Sequence, residues 1–327
     1  MNRVTMSVGS GGSSSRSFIS EIIFSRLGNS YLERASDAAI VPTGLKTAFT
    51  TDSYVVRPEF FPGGNIGKIA VCGTINDLLV SGAKPLFLSF GLIMPEGYPV
   101  NDLERVIDSM AYECEKAGVQ IVCGDTKVVE KDGVDGLIIN TSGIGESINN
   151  YTEYDNIKDG DVVILTSDIA RHGMSVMLAR GELGFDGQVE SDCACLVDLF
   201  ESVRGFDVKF ARDATRGGVA AVLNEINTDS GRGFFIKEAD IPMDENVGYL
   251  CDMLGFDPLA VANEGLAVII VSEADSAGAL AKIRASKNGE RAKIVGHVEG
   301  KGVVLETLIG GKRHIEMPSG ELLPRIC

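Results

Sequence analysis

The chain has 327 residues, 44% of them hydrophobic, which is enough for two domains with separate cores. Its net charge of −16, from 46 acidic against 30 basic residues, argues against a nucleic-acid partner, whose phosphates would be repelled. No apolar run approaches the roughly 18 residues that cross a membrane, and Met1 to Ser30 holds no apolar export segment, so no membrane partner and a cytoplasmic location are expected. The seven cysteines form no metal-type pair and read as reduced thiols, and the three histidines stand too far apart to suggest a zinc site.

Residues 1–35 are a Gly/Ser-rich segment around Gly9-Ser-Gly-Gly-Ser-Ser-Ser15. Its unhindered backbone N–H groups can wrap phosphate oxygens, and its composition fits a disordered leader equally well. A domain over 36–150 follows. Ala48–Val56 reads as a strand stopped by Arg57-Pro58, with a mid-strand carboxylate, Asp52, in need of a partner. After the turn Phe61-Pro-Gly-Gly64, Asn65 caps a helix running to Ser81. Gly73, Asn76 and Asp77 share one face of that helix, either a solvated polar face or a place where a metal-bound ligand comes close. Leu86–Ile93 is an apolar strand. Asn101 is expected to cap the next helix, with Glu104 at its third position. Strands at Gln120–Cys123, running on into Gly124-Asp-Thr-Lys127, and at Gly136–Gly145 complete an alternating strand–helix pattern.

The polar stretch Asn149–Asp159 predicts the domain boundary, and residues 151–310 repeat the grammar. Strands are expected at Asp161–Leu165, Phe234–Lys237, Leu266–Val271, Ala292–His297 and Val303–Glu306. Helices are expected at Gly173–Arg180 and Cys193–Val203. Arg212-Asp-Ala-Thr-Arg-Gly-Gly218 opens another helix and sets basic groups and glycines at its positive end, a suitable anion site. The fold class is therefore α/β, or α+β, in two domains. Gly310-Gly311 then frees a mobile tail, 311–327, which reaches roughly 50 Å if extended at about 3.3 Å per residue. It ends on Cys327, a thiol beside the terminal carboxylate with nothing beyond it.

No standard nucleotide fingerprint is present. Gly63-Gly-Asn-Ile-Gly67-Lys68 is one residue short of a P-loop, with Ile69 where Ser or Thr is required, and no GxGxxG follows a strand. Asp52, Asp77, Asp125 and Glu264 would repel a triphosphate unless Mg²⁺ intervenes, and Lys127 can meet a transferring phosphoryl group as a point charge.

Thr51-Asp-Ser-Tyr-Val-Val56, Phe60 to Ala70, Thr74-Ile-Asn-Asp-Leu78, Gly124-Asp-Thr-Lys127, Arg212 to Gly218, Ala262-Asn-Glu-Gly265 and Pro324-Arg-Ile-Cys327 occur in that order. The ordered set spans essentially the whole chain and resembles the HypE family of hydrogenase maturation proteins. That family lies within the superfamily of aminoimidazole ribonucleotide synthetase, selenophosphate synthetase and thiamine monophosphate kinase. The resemblance implies a two-domain fold of that type, a homodimer formed through the sheet of the N-terminal domain, and a C-terminal α/β sandwich. It implies that a carbamoyltransferase, HypF, loads a carbamoyl group on the Cys327 sulfur. ATP then drives its dehydration to a thiocyanate, and the cyano group passes to a HypC–HypD complex. By the same resemblance Cys327, Glu264 and Lys127 are catalytic, and Asp52, Asp77 and Asp125 bind Mg²⁺. Asn76, Thr126 and Arg212 contact the nucleotide, and Gly9, Gly11 and Gly12 cover its phosphates. The alternatives are a small-molecule phosphoryl-transfer enzyme of the same superfamily and a non-catalytic carrier with a terminal thiol.

Overall fold

The structure, a computed structural model, describes residues 3–4, 18–30, 43, 46–181, 189–318 and 326–327. Strands β1 (Thr47–Tyr54), β2 (Ala83–Pro95), β3 (Gln120–Val129) and β4 (Ile138–Ser147) form a sheet in the order β1-β4-β2-β3. Helix α1 (Ile66–Val80) lies directly on β1, β4 and β2, and α2 (Val100–Ala117) packs on α1 and β3. Strand alternation therefore gives the sheet a covered face, with Leu88, Phe90, Leu92 and Met94, and an open face that exposes Phe49 (68%) and Ile93 (36%).

Helix α1 begins as expected. The Asn65 side chain accepts hydrogen bonds from the N–H groups of Gly67 and Lys68, at 2.9 and 3.1 Å. Helix α1 is buried on almost every side, because α2 and the second domain cover what the sheet does not. Gly67 permits this: a Cβ there would lie 2.5 Å from the Val106 carbonyl oxygen of α2. Helix α2 starts earlier than expected, with Pro99 rather than Asn101 in the capping position and no side-chain cap. Pro99 has φ −66° and ψ 126°, so the chain is still extended there and turns helical at Val100.

The second domain is built on a seven-stranded sheet. Its elements in chain order are β5 (Val162–Leu165), α3 (Arg171–Ala179), α4 (Val197–Val203), β6 (Val208–Asp213), α5 (Gly218–Ser230), β7 (Phe234–Lys237), α6 (Glu245–Leu254), β8 (Ala267–Val271), α7 (Glu273–Ala285), β9 (Lys293–Val298), β10 (Val303–Glu306) and β11 (Lys312–His314). The strand order is β11-β10-β7-β9-β5-β8-β6. Strand β8, an inner strand next to the β6 edge, is buried along its whole length. Ala267, Ile269 and Val271 enter one core, shared with the first domain, and Val268 and Ile270 enter a second under α5 and α6. A sheet buried on both faces explains why this strand is uniformly apolar rather than alternating.

The segment 193–196 is not helical, contrary to expectation; α4 starts only at Val197. Side chains from elsewhere take its backbone groups. Ser191 Oγ accepts from the Cys193 N–H at 3.0 Å, and Asn76 bonds both Ala194 and Leu196. All seven cysteines are free thiols. No helix among the described residues is long and apolar enough to cross a membrane.

Candidate active site

Two connected cavities lie where the domains meet. The outer cleft, of 540 Å³, is lined by Phe49 and Thr50 of β1, Asp77 of α1, Tyr154, and Arg212 and Arg216 around the start of α5. A small inner recess, of 40 Å³, is lined by Asp52, Tyr54, Asp213, Glu264 and Cys327. Asp77, Asp213, Thr215 and Arg216 border both. The recess thus opens onto a cleft of the size that small-molecule sites have.

The acidic side chains arrive from separate elements. Asp52 lies on β1 opposite Thr141, so alternation turns it toward α1, and Asp77 on α1 accepts a hydrogen bond from Thr50 Oγ1 at 2.8 Å. Asp213 ends β6, and Glu264 sits in the loop entering β8. Burial raises the Asp77 carboxyl to about 6, helped by Asp52 and opposed by the Thr50 hydrogen bond and Arg212. Burial and then Asp77 raise Asp213 to about 7. These carboxylates border the joined cavities, and oxygen is the donor type a hard divalent cation takes.

Glu264 is 4% exposed, and its Oε1 has no hydrogen-bond partner. Burial pushes its carboxyl well up, followed by Cys193, Asp192 and Asp213, which makes it a stronger base than an exposed glutamate. Its position is fixed from behind. The Asp192 carboxylate accepts the Glu264 N–H at 3.2 Å and the Gly265 N–H at 2.9 Å.

The end of the chain enters this recess. Ile326 is 3% exposed and joins the shared core, and its carbonyl oxygen lies 2.7 Å from His172 Nε2. Cys327 then stands among Glu264, Asp52 and Asp213. Burial and the Glu264 charge push its thiol up, and Arg216 opposes them. The retracted thiol is therefore neutral.

Not every expected site residue comes here. Lys127 pairs with Ile93 and Asp125 with Gly91 across β2 and β3, so both project from the open face of the sheet. β3 is also the far edge from β1, three strand spacings or about 14 Å away. One chain does not bring Lys127 or Asp125 to Glu264, and the alternation of β3 is the reason. Thr126 lies on the same distant strand. Arg212 lines the cleft and pairs with Glu225 at 2.8 Å. Asn76 is 2% exposed, and both ends of its amide are engaged by backbone of the second domain, so it faces neither cavity. The Gly63–Gly64 turn is no phosphate loop: its Gly63 carbonyl accepts from Lys68 Nζ at 2.8 Å. Gly9, Gly11 and Gly12 lie outside the described residues.

Sequence reasoning passed over Asp213, Thr215 and Arg216, although all three stand in the Arg212–Gly218 stretch. Asp192 and His172 carried no signal at all, since each acts through a contact more than 70 residues away.

Two family models match the chain, those of the N-terminal domain of AIR synthase related protein over residues 35–147 and of its C-terminal domain over residues 158–307. The carbamoyl dehydratase HypE of Rhodobacter capsulatus is 45% identical over 99% of this chain and 98% of its own. A crystal structure of hydrogenase maturation protein HypE in complex with ATP superposes with a TM-score of 0.95 at 39% identity, covering 99% of this chain and 100% of that one. A crystal structure of a HypE–HypF complex gives a TM-score of 0.81 at 44% identity, over 92% of this chain and 99% of that one.

Proposed function

We infer, for a chain that belongs to the HypE family of carbamoyl dehydratases within the AIR synthase related proteins, that it converts a carbamoyl group on its own Cys327 to a cyano group at the expense of ATP. The observation that carries this reading is the place of Cys327, in a buried recess against Glu264 and at the mouth of a cleft that suits a nucleotide. A kinase for a small acceptor would need that recess for the acceptor, and here the terminus of the chain fills it.

The chemistry follows from what a carbamoyl group lacks. Its oxygen is a poor leaving group, so the ATP γ-phosphoryl group is transferred to it, giving an S-linked imidoyl phosphate and ADP. Both nitrogen protons must leave to form C≡N: the first is released as the imidoyl phosphate forms, the second as phosphate is eliminated. Glu264, a strong base with one oxygen unpartnered, takes a proton from that nitrogen as the C–O bond breaks and phosphate departs. The sum is R–S–C(O)NH₂ + ATP → R–S–C≡N + ADP + hydrogen phosphate + H⁺, with the lost oxygen and one of the two protons carried in the phosphate. Arg216 supplies positive charge beside the sulfur, and Arg212 beside the cleft. Mg²⁺ would take carboxylate oxygens from among Asp52, Asp77 and Asp213 together with phosphate oxygens, and would offset the charge of the nucleotide.

The open sheet face supports a homodimer made by packing that face on a second copy. Such a pairing would carry the Lys127 and Asp125 of one chain toward the recess of the other. HypF is the carbamoyl donor for Cys327 in this reading, and the cyano group goes on to a HypC–HypD complex that builds the cyanide ligands of [NiFe] hydrogenase. The cytoplasm is the compartment that fits free thiols.

Mass spectrometry of the C-terminal peptide tests the reaction, after incubation with HypF, carbamoyl phosphate and ATP–Mg²⁺. A carbamoyl adduct on Cys327 that loses one water only with ATP is the expected result. An adduct that never loses water would leave the chain a carrier.

A further inference from the structure

His172 is fully buried, on α3, and belongs to neither cavity. Its ring is held in place: Phe61 packs edge-on against it, with centroids 5.3 Å apart and an interplanar angle of 84°. Its two nitrogens have different partners. Nδ1 lies 2.9 Å from Ser191 Oγ, and Nε2 lies 2.7 Å from the carbonyl oxygen of Ile326. Ser191 Oγ also accepts the Cys193 N–H and can still donate or accept, whereas the Ile326 carbonyl can only accept. A neutral imidazole therefore carries its single proton on Nε2, aimed at the Ile326 carbonyl, and Nδ1 accepts from the Ser191 hydroxyl. Burial keeps the ring neutral by lowering its pKa to about 4.

We propose that His172, held through its other nitrogen by Ser191, is the positioning residue that latches the retracted tail by the Ile326 carbonyl and so holds the Cys327 sulfur beside Glu264. The inference rests on the reading of Cys327 as the carrier of the reacting group. A thiol that must meet a separate carbamoyl donor and then enter a closed recess needs a reversible hold. One backbone hydrogen bond at the penultimate residue provides it and leaves the sulfur itself untouched. The bond grips the main chain, so it works equally whether the sulfur is free, carbamoylated or cyanated.

The test compares two amides of similar character in the full-length protein. Gln places a donor near the Nε2 position, whereas Asn reaches only the Ser191 side. Alkylation of Cys327 by N-ethylmaleimide, followed on the C-terminal peptide, should be about tenfold faster in His172→Asn and near wild type in His172→Gln, the size expected for one lost hydrogen bond. Half-buried Cys123 serves as the internal reference. Loading of Cys327 by HypF should not slow in His172→Asn, while ATP-dependent water loss should slow by a similar factor and recover in His172→Gln. Wild-type alkylation in His172→Asn, or equal acceleration in both variants, would overturn the latch. A measurement free of any core substitution is ¹⁵N NMR of the histidines in the wild type and in a chain ending at Arg325. The Nε2 resonance of His172 must shift when Ile326 and Cys327 are removed, and an unshifted resonance rejects the contact. Alkylation and NMR need no ATP chemistry, so the latch and the dehydration stand or fall separately.

Discussion

Asn76 and Leu196 join the two domains at the base of the site. The Asn76 Oδ1 accepts the Leu196 N–H at 3.0 Å, and its Nδ2 donates to the Ala194 carbonyl at 3.0 Å. The next residue on α1 is Asp77, so one side chain sets both the domain junction and the depth at which that carboxylate stands.

Asn76→Ala should therefore act on stability before it acts on nucleotide. It leaves an N–H and a C=O of segment 193–196 buried and unpaired, a loss of about 2–4 kcal/mol at roughly 1–2 per group. Thermal melting without ATP is the measurement. An unchanged melting temperature together with weakened ATP binding would restore the direct-contact reading of Asn76.

Gly265→Ala should be more damaging to chemistry than its size suggests. A Cβ at that position would sit 1.9 Å from the Asp192 carbonyl oxygen and 3.3 Å from the Ala194 N. Backbone must move, and Glu264 moves with it, since the same Asp192 holds both N–H groups. A displacement near 1 Å at a catalytic group costs about 10²-fold in rate. Single-turnover water loss from carbamoylated Cys327 reads it directly.

The pH dependence of stability should carry a signature of His172. Its pKa of about 4 in the folded chain compares with about 6.5 unfolded, so between those values the unfolded chain binds more protons. The stabilisation is complete above pH 6.5 and is lost as pH falls toward 4. From pH 7 to pH 5 that amounts to about 2 kcal/mol. Urea unfolding at both pH values should show wild type losing this much more than His172→Gln.

How legible the chain is depends on the range of the interaction involved. Helix α1 was readable to the residue because its cap, Asn65, acts within three positions, and β7 and β10 because alternation and β-branching are local. Segment 193–196 misled for the opposite reason: its apolar residues fit a helix, and two of its backbone groups are taken instead by Asn76, more than a hundred positions away. Among the site residues, Cys327 and Glu264 were legible by resemblance and do meet in one recess. The resemblance carried no account of which face of β3 Lys127 would occupy. Alternation predicts that it shares a face with Asp125, but which face is set by the pairing with β2, including the register shift between Leu88 and Ser89.

That placement of Lys127 yields the sharpest prediction. If Lys127 serves the recess of a second copy, Lys127→Ala and Glu264→Gln chains are each inactive alone for different reasons. A mixed dimer then contains one recess with a wild-type Glu264 facing a wild-type Lys127, and one with neither. Equal mixing after subunit exchange makes about half of the dimers mixed, and each has one working site of two, so about a quarter of wild-type activity should return. The readout is ATP-dependent water loss on carbamoylated Cys327, with the tail peptides of the two chains told apart by isotope label. Water should be lost only on the Lys127→Ala chain, whose own Glu264 is intact. Absence of recovery in dimers shown to have exchanged would place Lys127 outside the reaction, because within its own chain it stands on the far edge and the opposite face of the sheet.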